Sequence, residues 1–428
     1  MQVKVLICIK FQSCIWIPKQ ALSYRVGEFA MFSFLLVIIY VAFISLGLPD
    51  SLVGSAWPVM QSELGVPFSY AGIITMIIAC GTIVSSLLSD RLTRKFGAGL
   101  VTAFSVFLTA MALFGFSVSN SFILLCLWAV PYGLGAGAVD AALNNYVALH
   151  YASRHMSWLH CFWGVGAAVS PYIMSFCLTG GHGWHSGYRV VSIVQIILTV
   201  ILFISLPLWK RGNTDHIQHA ELDKEVSSKP LGFAQILKMK GVPLVLVTFF
   251  SYCALEQTAM LWASSYLVQH RGLDVSIAAR FASLFCLGIT AGRFLCGFIA
   301  DKLGDKLLIR FGILLSLLGI IFVALPVEGT FFAMIGLIIT GLGCAPTYPA
   351  IIHSTPFNFG RENSQGIIGI QMASAYVGTT IMPPLFGFLA SAINISIFPL
   401  YLSIFAILML VMSERLNKIV AKKYASSR

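Results

Sequence analysis

Charge is what this chain has least of. Only 10% of its 428 residues are Asp, Glu, Lys or Arg, against 58% hydrophobic. Soluble domains carry roughly 25% charged residues, so a water-facing globular fold is excluded and an integral membrane protein is expected. Acids are the scarcer sign, 16 against 27 Lys and Arg, for a net charge of +11. The basic residues lie in short loops between apolar segments rather than on one patch, which excludes nucleic acid as a partner. Metal spacing is missing too. Cys80, Cys126, Cys161, Cys177, Cys253, Cys286, Cys296 and Cys344 lie inside apolar segments, where thiols act as small hydrophobes. His182/His185 and His216/His219 have i,i+3 spacing but no third ligand nearby. There is no metal site to expect, no phosphate-binding Gly-rich loop, hence no cofactor, and no convergent catalytic set, hence no enzyme.

What is present is membrane-spanning length. A helix needs about 20 apolar residues to cross the hydrocarbon core. Twelve segments qualify: 31–57, 70–89, 98–118, 121–147, 157–179 and 188–208, then 242–267, 277–299, 307–326, 331–352, 364–387 and 392–413. In lipid the backbone must satisfy its own hydrogen bonds, so these read as helices. The expected fold is an all-α membrane protein of two six-helix halves, 31–208 and 242–413. Between them runs a polar linker, 209–241, and a basic tail, 414–428, follows. With the N-terminus inside, Lys and Arg fall almost wholly on the cytoplasmic side. The exceptions are Arg189, Arg271 and Arg280 outside, and Arg293 within the eighth segment. Both termini are therefore expected in the cytoplasm, with the protein in the cell membrane.

Residues 1–30 form a tail broken by Lys4, Lys10 and Lys19, without a small-residue cleavage site. Met31 stands where the first segment begins. Gly27-Glu28 would be encoded by GGN-GAR, which reads as a ribosome-binding sequence. A start at Met31 and an ordinary short tail both stay open.

The chain repeats itself. Ser86-(x3)-Asp90-Arg91-Leu92-Thr93-Arg94-Lys95-Phe96-Gly97 recurs as Gly297-(x3)-Asp301-Lys302-Leu303-Gly304-Asp305-Lys306, and Asp90 and Asp301 are 211 apart. Gly133-Leu-Gly135 recurs as Gly341-Leu-Gly343, and Gly166-(x4)-Pro171 as Gly378-(x4)-Pro383. Asp50 and Trp57 correspond to Glu256 and Trp262. Features sharing nearly one offset imply a parallel duplication of six helices, a known architecture of secondary transporters.

These loops resemble the G-x3-D-[RK]-x-G-[RK]-[RK] signature of the major facilitator superfamily, with Ser86 and Thr93 in place of glycines and Asp305 in place of a base. The resemblance covers essentially everything after residue 30. Within it, Leu48-Pro49-Asp50-Ser51-Leu52 resembles the L-x-D-x-L stretch of the fucose:proton symporter group. Gly133 through Asp140 to Asn144 resembles that group's G-x-G-(x3)-[DE]-(x3)-N pattern. His160 falls where the group often has glutamine. The resemblance implies proton-coupling roles for Asp50 and Asp140.

The residues themselves point the same way. Burying an ionised acid at mid-membrane costs ~2.5–3.5 kcal/mol, so intramembrane acids mark function by default. Asp50, Asp140 and Glu256 are such acids and are the expected proton-coupling set. The plain alternatives are a neutral Asp140 bonded to Asn144, an Asp50 that ends helix one, and a Glu256 in a structural hydrogen bond. Asn144, His160, Trp163, Gln257, Trp262, Tyr348 and Gln371 are the expected substrate-binding set, combining amides with an aromatic wall. His160 equally suits a helix-end histidine bonded to a carbonyl. Asp90, Arg91, Arg94, Asp301 and Lys302 are expected to gate, as a latch between the halves beyond the basic belt that orientation requires. The expected function is proton symport of a small polar solute, a sugar foremost, by a monomer in the bilayer. The rivals are a proton-coupled exporter of amphiphiles and a non-transporting sensor on the same scaffold, though a sensor would have lost its intramembrane acids.

Overall fold

Peptide groups in a bilayer have no water to bond, so the chain closes its hydrogen bonds within helices. The computed structural model describes residues 4–9, 13–220, 231–327 and 331–425. An antiparallel hairpin, β1 (Lys4–Ile9) with β2 (Ser13–Pro18), precedes the helices. The first half holds α1 (Lys19–Asp50), α2 (Leu52–Glu63), α3 (Ala71–Phe96), α4 (Ala98–Ser117), α5 (Phe122–His150), α6 (Ser153–Thr179) and α7 (Gly183–Ala220). The second holds α8 (Phe233–Lys238), α9 (Val242–Arg271), α10 (Val275–Leu303), α11 (Asp305–Ala324), α12 (Phe331–His353), α13 (Thr355–Phe359), α14 (Arg361–Ala392) and α15 (Phe398–Ala425). Among the described residues, 12 helical spans are long and apolar enough to cross a membrane. Large side chains such as Phe176, Ile204 and Phe388 are 70–75% exposed on their outer faces, as lipid contact requires.

Several helices run past their expected ends, each for a local reason. The first span reaches Glu63 rather than residue 57, in two pieces that meet at Ser51. Glu63 is held there by Trp184 of α7, whose Nε1 donates to Oε2 at 2.6 Å. Helix α3 continues to Phe96, so Asp90, Arg91 and Arg94 stand on a helix and not in a loop. An i,i+4 ion pair, Arg94 Nε to Asp90 Oδ1 at 2.8 Å, supports the added turns. Arg94 and Lys95 in the last turn suit the helix's negative end. Asp301 and Lys302 likewise belong to α10. Helix α7 continues to Ala220, into the stretch expected as linker, of which 221–230 lie outside the described residues. Helix α15 extends through the expected tail to Ala425, where Glu414 takes both Nε and Nη2 of Arg310 at 2.7 Å. Residues 426–428 also lie outside the described set.

The duplication is visible in geometry. A single glycine turns α3 into α4 and α10 into α11, Gly97 at φ 82° and Gly304 at φ 74°. A side chain would strain that left-handed backbone. The halves also share an equivalent glycine-on-glycine crossing. A Cβ on Gly81 would come within 3.1 Å of Gly133 Cα, and one on Gly288 within 3.3 Å of Gly341 Cα. Small residues let membrane helices approach this closely.

The halves pack through equivalent pairs, α3 on α14 and α6 on α10. Bulk is exchanged between these two crossings. On α10, Gly297 makes room for the indole of Trp158, which donates to Phe294 O at 3.3 Å. On α3 the equivalent position is Ser86, and there the facing residue is Gly369, where a Cβ would come within 2.5 Å of Ser86 O. The missing signature glycine at Ser86 is thus matched by a glycine on the partner helix.

Candidate functional site

The middle of the molecule gathers polar groups from both halves. Asp140 on α5 is 9% exposed. Its Oδ1 accepts Nδ2 of Asn144, one helical turn on, at 2.8 Å. Asn144 Oδ1 faces His160 Nε2 of α6 at 3.0 Å, so the imidazole donates there. Tyr376 of α14 reaches Asp140 Oδ2 from the other half at 3.4 Å. The His160 ring stands edge-on to Tyr348 of α12 at 4.6 Å and to Phe43 of α1 at 5.4 Å.

Asp50 is different in kind. It ends α1, yet the span continues beyond it, and the residue is exposed. Two donors orient it: Trp163 Nε1 of α6 to Oδ2 at 2.9 Å and Tyr132 hydroxyl of α5 to Oδ1 at 3.1 Å. The Trp163 ring is in turn covered by the guanidinium of Arg293, 5.9 Å from its centroid. Arg293 belongs to α10 and is 4% exposed, and its Nη2 donates to Glu256 Oε1 of α9 at 3.2 Å and to the Tyr252 hydroxyl at 3.4 Å. Isolated ions so buried would cost several kcal/mol each, and losing one partner of such a pair costs about 3–5 kcal/mol.

The structure therefore brings together Asp50, Asp140, Asn144, His160, Trp163, Glu256 and Tyr348. The hydrogen bonds of the other three expected ligands lead elsewhere. Gln257 Nε2 points to Met260 Sδ on its own helix at 3.9 Å. Trp262 Nε1 donates to Pro383 O at 2.9 Å and its ring packs on Phe386. Gln371 is fully buried and takes Thr355 Oγ1 at 3.1 Å. Sequence reasoning passed over Arg293, Tyr132, Tyr252 and Tyr376. Arg293 carried a signal, being the cation in the middle of an apolar segment; the tyrosines carried none beyond composition.

The signature acids face helix starts across the halves. Asp301 accepts the backbone N–H of Arg154, in the first turn of α6, at 3.1 Å, and also pairs with Arg154 Nε. Asp305 takes Ser153 Oγ at 2.6 Å, and His353 Nδ1 lies 2.7 Å from its other oxygen. Asp90 stands opposite the first turns of α14, where a Cβ on Gly366 would lie 3.6 Å from its carboxyl carbon. Arg91 and Lys302 are exposed and reach no group of the other half among the described residues. Arg361 donates to Leu149 O at 2.9 Å and Ser364 to Asn145 Oδ1 at 2.6 Å, closing this end further.

The chain belongs to the major facilitator superfamily, whose sequence profile matches residues 39–327 and 244–419 in overlapping stretches. Its curated relatives include Bypass of stop codon protein 6 of Saccharomyces cerevisiae, 24% identical over 284 residues. That alignment takes in 61% of this chain and 56% of the yeast protein, so the chain spans little more than half of that relative. Solved structures share the fold. A variant of the E. coli fucose:proton symporter matches at TM-score 0.73 and 15% identity, over 90% of this chain and 98% of that one. The proton:xylose symporter with a bound bromodeoxyglucose matches at 0.75 and 12%, over 91% and 96%. The protein is a multi-pass membrane transporter of the secondary class and not an enzyme.

Proposed function

We propose that the protein carries a small polar organic solute, a sugar or its close relative, together with protons, by alternating access between its halves. The observation that carries this reading is the interhalf cluster of Asp50, Asp140–Asn144–His160 and Glu256–Arg293 at mid-membrane. Carboxylates in a site of low polarity take up a proton more readily than in water, which suits an acid that must load on one side and unload on the other. Amide, imidazole and carboxylate edges beside Trp163 and Tyr348 offer hydroxyl partners and a face for C–H groups. The solved sugar symporters that share the fold support the choice of cargo. With both termini in the cytoplasm, as the basic loops require, the end closed by Asp301–Arg154 and Asp305–Ser153 is the cytoplasmic one and Asp50 is approached from outside.

The test is uptake into proteoliposomes under an imposed pH gradient. Uphill accumulation of a labelled sugar that collapses with a protonophore is expected. Efflux of lipophilic cations without sugar uptake would replace this reading with that of an exporter.

A further inference from the structure

The guanidinium of Arg293 is incompletely used. An Arg fork offers Nε and Nη together, matched in shape to the two oxygens of a carboxylate. The same protein shows what full use looks like: Arg310 gives Nε and Nη2 to both oxygens of Glu414, each at 2.7 Å. Arg293 meets Glu256 through a single Nη2–Oε1 contact of 3.2 Å, and its buried Nε has no hydrogen-bond partner. An unmet buried donor is costly, the more so on a charged group. Its neighbours are those of the candidate site, with Trp163 against its face and Asp50 one hydrogen bond further on.

We infer that the unpaired edge of Arg293 is a carboxylate subsite, so that the preferred cargo is a polyhydroxylated acid, a uronate or aldonate, rather than a neutral sugar. This rests on the transporter reading above and narrows it. The incoming carboxylate takes Nε and Nη2 of Arg293. Glu256 then loses its cation and takes a proton from solvent. One anion and one proton enter together, and the site's charge is unchanged. Hydroxyls of the cargo fall to Asp50, Asn144 and His160. The arrangement couples proton to substrate by competition for one cation.

The experiment is equilibrium binding to the purified full-length protein, with D-galacturonate, its methyl ester and D-galactose as probes. The ester keeps the shape and removes the charge, so the wild type alone decides the issue. The acid is expected to bind at least about tenfold more tightly than the ester, as a charge-assisted pair implies. Arg293→Gln should abolish the preference, read as the ratio of the two affinities, so that the acid and the ester bind alike. Equal binding of acid and ester overturns the carboxylate subsite and leaves the sugar reading standing. Binding of none of the three overturns both. An Arg293→Gln protein that still prefers the acid by the wild-type margin overturns the assignment to Arg293.

Discussion

Asp301 of the second half accepts the backbone N–H of Arg154 in the first half, at 3.1 Å. The bond ties a signature acid to the start of a helix on the other side of the molecule. It joins charge to the positive end of the α6 dipole, and it exists only while this end is closed. An acid at that point therefore stabilises one conformational state over the other.

Asp301→Ala should open this end. Its side chain is partly exposed, so the loss is set at about 1 kcal/mol, a several-fold change in the population ratio. Distances between spin labels placed on α6 and α10 would lengthen in a larger fraction of molecules. An unaltered distance distribution would show that Asp301 contributes nothing to closure.

Asp140→Asn should abolish uphill accumulation and spare exchange of substrate between equal pools. Asparagine keeps the bond to Asn144 but carries no titratable proton. Vesicles driven by a pH gradient measure the first, and counterflow measures the second. Undiminished accumulation would remove Asp140 from the coupling set.

Asn144 and Gln371 should separate. Asn144 links Asp140 to His160, so Asn144→Ala should weaken substrate binding by two- to thirteenfold, the equivalent of about 0.5–1.5 kcal/mol for one neutral hydrogen bond. Gln371→Ala should leave affinity alone and lower thermal stability, because its Oε1 is taken by Thr355 in a fully buried place. Paired binding and melting curves decide. An affinity loss at Gln371 alone would invert the assignment.

Gly133→Leu should be poorly tolerated. A Cβ at Gly133 runs into the carbonyl of Ile78 and stands 3.1 Å from Gly81 Cα. Overpacking of this kind costs about 1–3 kcal/mol, and more where backbone is the obstacle. A clearly lowered melting temperature in detergent is expected. A wild-type melting curve would mean that the helices can part without cost.

The candidate site was partly legible in the sequence. Asp50, Asp140 and Glu256 stood out because an acid in a long apolar run is expensive and rare. Asn144 was legible from its place one turn after Asp140. Trp262 and Gln371 looked equally eligible, since aromatic and amide residues also serve packing, and their bonds to Pro383 and Thr355 depend on a distant helix and on the adjoining α13. Arg154, Asp305 and His353 were not legible as closing residues. Each gains its partner only when α6 meets α10 and α11, and α11 meets α12.

Composition alone determined that the chain lives in a membrane, because so little charge cannot clothe a soluble surface. Length and spacing of the apolar runs determined twelve spans, and the shared offset determined their duplication. What the tertiary structure decided is which way each helix faces. A spanning helix is apolar all round, so its pattern carries little record of its rotation about its own axis. That rotation turned Arg293 toward Glu256 and Trp163, left its Nε without a partner, and set Asp301 against the start of α6.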